Sequence, residues 1–307
     1  MPELIFIQGI MHRSGTNLLH DLVALHPDVE KVQRPVWESF FLSKIHWLDA
    51  FGRAVSREWD PDWNVDDEEL RTQFGSAITG FLADGRDSRF VVTKTPSVHN
   101  LHRFFDFFPD SYLLVLVRDG RAVVESGVRS FGWDRDMATR SWAHYARVVE
   151  TATEGFAECE ERFQVVRYED LMRDRLATME SVWAMLGLDA REVDIESAAN
   201  VPVRGSSDLA VEEGGVHWRP VDPKPSFDPL RRFADWSPAR HRRFNHLAGA
   251  ELRLFGYEPR YETTSFAGRV GQRIRDLVDV RWRLRLAYRA WLRFAQCRRE
   301  MRAARRY

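Results

Sequence analysis

The sequence predicts an α/β fold, a central parallel sheet flanked by helices, followed by a basic helical tail. Three observations lead there. Leu4 to Ile7 is a short β-branched and aromatic run that Gly9 breaks, and Leu18, Leu19 and Leu22 then fall at helical spacing. Tyr112 to Val117 is an unbroken apolar run fit for a central parallel strand. Strand-like and helix-like patterns alternate through residue 190, which implies βαβ units with right-handed crossovers. The division expected is a domain over 1–261 and a basic amphipathic extension over 262–307.

The first strand–loop–helix unit is the most informative stretch. Backbone N–H groups at a helix start converge, and the helix dipole favours an anion there. Gly9 and Gly15 let the backbone approach a phosphate, Arg13 adds a forked cation, and Ser14 and Thr16 add hydroxyls. The plain alternative is a glycine turn that holds no ligand. Gly9 to Thr16 lays onto the nucleotide-triphosphate loop G-x-x-x-x-G-K-[ST] with two failures: Ser14 replaces the second glycine and Gly15 the lysine. Without that lysine an ATPase or GTPase is disfavoured.

Further along, His26-Pro27-Asp28 stops the first helix. Arg34 to Phe41 is rich in aromatics. A carboxylate at Glu38 among Trp37, Phe40 and Phe41 would be poorly solvated, which suits a general base; spacing alone favours a solvated helix-end glutamate. Residues 48–87 read as an acidic helical cover with a loop. Arg89 to Pro96 is a second strand ending in a lysine and a proline, and that lysine, Lys94, faces the crevice where open sheets bind ligands, or simply water. After the Tyr112–Val117 strand come Arg118 and, two helical turns on, Ser126, placed to reach one anion; the rival reading is a surface Arg–Asp pair. Trp133 to Glu161 reads as one long helix, Phe163 to Leu171 as a strand followed by a helix start, and Met179, Val182, Trp183 and Leu186 as a buried stripe closed by Gly187. Residues 200–228, rich in glycine and proline, suggest a lid or binding loop, and Pro238 to Phe255 a helix.

A formal net charge of −1 argues against a general nucleic-acid binder. Cys159 and Cys297 support neither a disulfide scaffold nor a cysteine zinc site. The histidines lack metal-ligand spacing, so no metal site is expected. With no signal peptide and no membrane-length apolar run visible, a cytoplasmic protein is expected.

Gly9 to Leu19, then Val115 to Arg121 with Ser126, then Val166 to Leu171 resemble, in order and spacing, three motifs of one family. These are the 5′-phosphosulfate loop, the 3′-phosphate site and the adenine-side tyrosine of sulfotransferases that use 3′-phosphoadenosine 5′-phosphosulfate (PAPS). The resemblance covers residues 4 to about 258 and implies a P-loop-like α/β fold without nucleotide hydrolysis. By matching position it implies that Arg13, Ser14, Gly15, Thr16 and Asn17 hold the 5′-phosphosulfate, Arg118 and Ser126 the 3′-phosphate, and that Tyr168 contacts adenine. Lys94 and Glu38 match the lysine and the glutamate base of the protein-tyrosine branch; the heparan-type branch shares a similar Glu-x-Phe-Phe. The cytosolic small-molecule branch uses histidine, for which His99 is the nearest candidate, but that branch's late glycine-rich pattern is absent. Ser207 and Arg232 weakly resemble a late serine and lysine of the tyrosine-directed enzymes. The implied reaction is transfer of a sulfuryl group from PAPS to a hydroxyl or amine of a small-molecule, lipid, glycan or peptide acceptor. A nucleotide kinase and a non-catalytic nucleotide-binding module at a membrane are the alternatives.

The tail from Phe266 to Tyr307 carries thirteen arginines against Asp276, Asp279 and Glu300. Leu277, Leu284, Tyr288, Trp291 and Ala295 line one helical face. Such a helix either lies on an anionic membrane, at the inner face of the cell, or packs on its own domain or a second subunit.

Overall fold

The computed structural model describes residues 2–33, 38–63, 65–203, 228–262 and 265–278, together with 284 and 288. The described residues form a five-stranded sheet in the order β2-β3-β1-β4-β5, with every pairing parallel. The strands are β1 (Glu3–Gly9), β2 (Val29–Lys31), β3 (Phe90–Thr95), β4 (Tyr112–Val117) and β5 (Phe163–Arg167). Between and after them run helices α1 (Thr16–Val23), α2 (Phe41–Ser56), α3 (Asp67–Ala83), α4 (Phe104–Phe107), α5 (Gly120–Phe131), α6 (Arg135–Gly155), α7 (Tyr168–Arg173), α8 (Arg175–Met185), α9 (Ile195–Asn200), α10 (Pro238–Leu254) and α11 (Phe266–Val278).

The alternation of side chains along β1 distributes its residues to two cores. Ile5 and Ile7, with Val92, Leu114 and Leu116, join Leu18, Leu19 and Leu22 of α1 and Met179, Val182 and Trp183 of α8. Phe6 faces the other way, its ring 5.2 Å from Phe104 and 4.8 Å from Phe108. Both faces are covered, which is why β1 and β4 read as continuous apolar runs. Each fully buried aliphatic side chain of this kind contributes about 1.5–3 kcal/mol.

Two elements differ from the sequence reading. β2 is only Val-Glu-Lys, too short and polar to show a period, and it pairs with β3 from Val29 to Lys31. The long helix begins at Arg135, where the Asp134 carboxylate accepts from the Met137 amide, and ends at Gly155 instead of Glu161. Phe156 stops it by packing on Phe105 and Phe163, at 4.9 and 5.2 Å, and a 3₁₀ turn follows.

The chain divides into two compact units, Met1–Asp235 with Ala250–Glu258, and Trp236–Gly249 with Pro259–Tyr307. In the first, β1 connects towards β2 on one side of the sheet and β4 towards β5 on the other. The carboxyl ends of β1 and β4 therefore flank a topological switch point, where open α/β sheets bind ligands. In the second unit, Arg243 and His246 of α10 hold Asp276 of α11 at 2.6 and 2.8 Å.

Candidate active site

The loop after β1 is built by its own backbone. Arg13 and Gly15 both have positive φ, 76° and 99°, and flank Ser14. This alternation turns successive N–H groups towards one point. A left-handed arginine costs on the order of 1–3 kcal/mol, a strain characteristic of functional loops. Ser14 closes the loop on itself: its hydroxyl donates to the Met11 carbonyl and accepts from the Met11 amide, while its own amide donates to the same carbonyl. Ser14 thus shapes the cradle. α1 starts at Thr16 with no side-chain cap; the Leu18 and Leu19 amides donate to the Gly15 carbonyl, which leaves the amides of Thr16 and Asn17 as the donors a ligand could take. Gly15 is required twice over, by its φ and because a Cβ would lie 2.5 Å from the Tyr168 ring.

At the end of β4, Arg118 reaches back to this loop. Its guanidinium donates to the carbonyls of Arg13, at 2.9 Å, and Pro229, at 2.8 Å, and lies 4.1 Å over the Tyr168 ring. Its Nε is a buried donor without a partner among the described residues. From α5, the Ser126 hydroxyl accepts from Arg13 Nε at 3.0 Å. Arg13, Arg118 and Ser126 are therefore linked across the switch point, Arg13 bridging the other two. Tyr168 is 1% exposed, sandwiched between Gly15 and Arg118. Its phenol is pushed up by burial, against the pull of the Arg118 and Arg232 cations. Arg232 is likewise buried.

The neighbouring Asp119–Arg121 pair lies inside the protein, contrary to the surface alternative. Asp119 takes both Nε and Nη2 of Arg121, at 3.0 and 2.7 Å. Glu169 accepts from the Asp119 amide at 3.0 Å and from the Tyr257 hydroxyl at 2.6 Å. This buried lattice fixes the backbone from which Arg118 projects.

Lys94 is 6% exposed at the end of β3, and its Nζ stands 3.4 Å from Glu38 Oε1. Burial pushes the Lys94 ammonium down from its usual value, with Glu38 and Asp21 opposing the fall. Glu38 is brought there by three hydrogen bonds. The Ser39 amide donates to the Lys94 carbonyl, and the Phe40 amide donates to Thr95 Oγ1, which also pairs with Ser39 Oγ, all at 3.2 Å. Phe40 takes a left-handed φ of 48° to start α2 from that anchor. The carboxylate's partner is thus a cation; Trp37, in the aromatic wall read from the sequence, lies outside the described residues, as does Ser207.

His99 is tied elsewhere, to Ser97 Oγ at 2.8 Å and the Tyr145 hydroxyl at 3.4 Å. His12 is a residue that the sequence reading missed. It precedes Arg13 in the loop with its side chain partly open to solvent, and the burial it has lowers its pKa, opposed by Glu38 and helped by Arg13 and Lys94. Its only sequence signal is adjacency to Arg13. Among the described residues no group of three or more His, Cys, Asp or Glu side chains is placed to hold a metal ion.

A sequence model of the sulfotransferase family matches residues 2–192, which hold the loop, Glu38, Lys94, Arg118, Ser126 and Tyr168. The chain belongs to the sulfotransferase family. The sheet flanked by helices and the loop after β1 agree with that family's P-loop-like fold. Among curated relatives, protein-tyrosine sulfotransferase 1 of Danio rerio is 29% identical over 182 residues, 56% of this chain and 49% of the relative. The protein-tyrosine sulfotransferase of Drosophila melanogaster is 26% identical over 283 residues, 84% of this chain and 52% of the relative. The chain spans about half the length of these relatives. Among solved structures, the sulfotransferase domain of a Synechococcus olefin synthase is 19% identical, covering 91% of this chain and 96% of that domain with a TM-score of 0.43. A mouse sulfotransferase complexed with PAP is 12% identical, covering 88% and 87%, with a TM-score of 0.38.

Proposed function

We propose that this protein is a PAPS-dependent sulfotransferase that acts on a hydroxyl or amine acceptor, with Glu38 as the base. The observation that carries the reading is the Lys94–Glu38 pair at 3.4 Å on the carboxyl edge of the sheet that also bears the phosphate-type loop. The residues present fit an anionic nucleotide. The first turn of α1 is uncapped, Gly15 leaves room for close approach, and Arg118 Nε is a buried donor without a described partner.

On this reading the amides of Gly15, Thr16 and Asn17 and the Arg13 guanidinium hold the 5′-phosphosulfate. Arg118 and Ser126 hold the 3′-phosphate, and Tyr168 underlies both by supporting Gly15 and Arg118. When bound, PAPS supplies a sulfuryl group on a good phosphate leaving group. Glu38 takes the acceptor's proton as the new oxygen–sulfur or nitrogen–sulfur bond forms and the sulfur–phosphate-oxygen bond breaks. Arg13 and Lys94 face the charge that moves onto that phosphate oxygen. Catalysis of this kind rests on positioning and cationic stabilisation of the group in flight. The likeness to protein-tyrosine sulfotransferases supports a phenolic or peptide acceptor within the broader class of small-molecule, lipid, glycan and peptide acceptors.

Glu38→Gln keeps the shape and removes the basicity. Turnover is expected to fall by ~10²–10⁴-fold, with thermal stabilisation by adenosine 3′,5′-bisphosphate retained. A larger loss in His99→Ala would move the base to His99. Stabilisation by magnesium ATP and not by the bisphosphate would overturn the sulfotransferase reading.

A further inference from the structure

The helix α11 presents an exposed apolar stripe. Phe266 is 76%, Ile274 54% and Leu277 62% exposed. At about 100° per residue, Phe266, Ile274 and Leu277 fall on one side of the helix, and Gln272 and Asp276 on another. That second side is the one held within its own unit. Arg243 donates to Gln272 at 3.1 Å and to Asp276 at 2.6 Å, and His246 pairs with Asp276 at 2.8 Å. The helix is therefore fixed by its polar edge while its apolar edge faces outwards, the reverse of a helix that packs to build a core.

The charge pattern decides what suits that edge. The single acidic residue of α11, Asp276, is engaged by Arg243 and His246, whereas Arg269, Arg273 and Arg275 are exposed. The sequence from Phe266 onwards holds thirteen arginines and three acidic residues. No described helix is long and apolar enough to cross a membrane. An exposed apolar stripe flanked by arginines, on a helix too polar to span, matches a surface that is apolar below and anionic above.

We propose that α11 is a membrane-docking helix that seats Phe266, Ile274 and Leu277 at the acyl boundary of an anionic bilayer, with Arg269, Arg273 and Arg275 among the phosphate and carboxylate headgroups. The site neither needs nor tests the transferase reading. Its consequence is that an acceptor carried on or near an anionic membrane is met at the surface.

The test is flotation of the full-length protein with phosphatidylcholine vesicles made with and without phosphatidylserine. The protein is expected to float with the anionic vesicles only, and to be released by high salt. Arg273→Gln is expected to weaken partitioning about fivefold. Ile274→Ser with Leu277→Ser, at exposed positions, is expected to abolish it while leaving the melting temperature and the shift produced by adenosine 3′,5′-bisphosphate unchanged. Absence of flotation, or equal flotation with neutral vesicles, would overturn the proposal. So would a dimer in solution that the double variant dissociates without any change in flotation, because the stripe would then belong to a second copy of this chain.

Discussion

The contact between Arg13 and Ser126 changes what each residue is expected to do. The family resemblance implies Ser126 at the 3′-phosphate and Arg13 at the sulfuryl end, as independent contacts. In the folded protein Arg13 Nε donates to Ser126 Oγ at 3.0 Å, so the serine also aims the guanidinium. Arg13 is already held in a left-handed backbone conformation, with its carbonyl tied to Arg118. Its side chain is thus restrained at both ends. Ser126→Ala is expected to raise the KM for PAPS and to lower kcat as well. A charge-assisted hydrogen bond of this kind contributes on the order of 1.5–3 kcal/mol, or roughly ten- to a hundredfold between the two constants. Steady-state kinetics with PAPS varied at saturating acceptor separate the two. A rise in KM with kcat intact would mean that Arg13 keeps its aim without the serine.

Between elements, one buried carboxylate joins three segments that carry no site residue themselves. Asp49 of α2 meets Arg53 one turn on, Arg71 of α3 at 3.1 Å, and Arg103, in the turn before α4, at 2.8 Å to each oxygen. The hydrogen bond from Arg103 holds the Asp49 carboxyl far below its usual range, despite its burial. Asp49→Asn preserves the volume and leaves three guanidinium groups around a neutral amide. Removing one member of a buried charge cluster costs about 3–5 kcal/mol, and the solvent reaching Arg53 points to the lower end. Urea unfolding would measure it; a loss below about 1 kcal/mol would reduce the cluster to ordinary surface pairing. None of this was legible in the sequence, because residues 22 and 54 positions apart share no period. The same holds for the Thr95 hydroxyl that anchors Phe40, and for Glu169 and Tyr257, 88 residues apart. What could be read was local: β4 ends where its apolar run ends, and α8 stops before Gly187 at φ 64°. The loop residues were legible for the same reason, since strand, turn and helix start lie within twenty residues. Glu38 and Lys94 are different. Each was readable as a candidate, but their meeting depends on three hydrogen bonds between segments.

Over the whole molecule, one partly buried histidine and one buried carboxylate shape the expected response to acid. His20 in α1 is held neutral, down to about 4, by burial and by the Lys31 and Lys94 cations, with Asp21 and the Val92 carbonyl opposing. The unfolded chain binds that proton near 6.5, whereas the folded chain refuses it until about pH 4. The unfolded state thus holds more protons throughout this window, so stability rises with pH across it and falls as the medium is acidified. Asp49 acts in the next window. Its folded carboxyl titrates well below the unfolded value of 3.8, so its contribution is intact above that value and is lost only as pH falls further. Acid unfolding is therefore expected in two stages, a gradual loss between about pH 6.5 and 4 and a steep one below. His12 is also lowered, so His20→Asn should flatten the upper stage without abolishing it and leave the lower stage in place. Unfolding free energy from urea titrations at about pH 7, 5 and 3.5 checks this directly. An unchanged slope between pH 7 and 5 in His20→Asn would show that the imidazole takes up its proton in the folded protein as readily as in the unfolded chain.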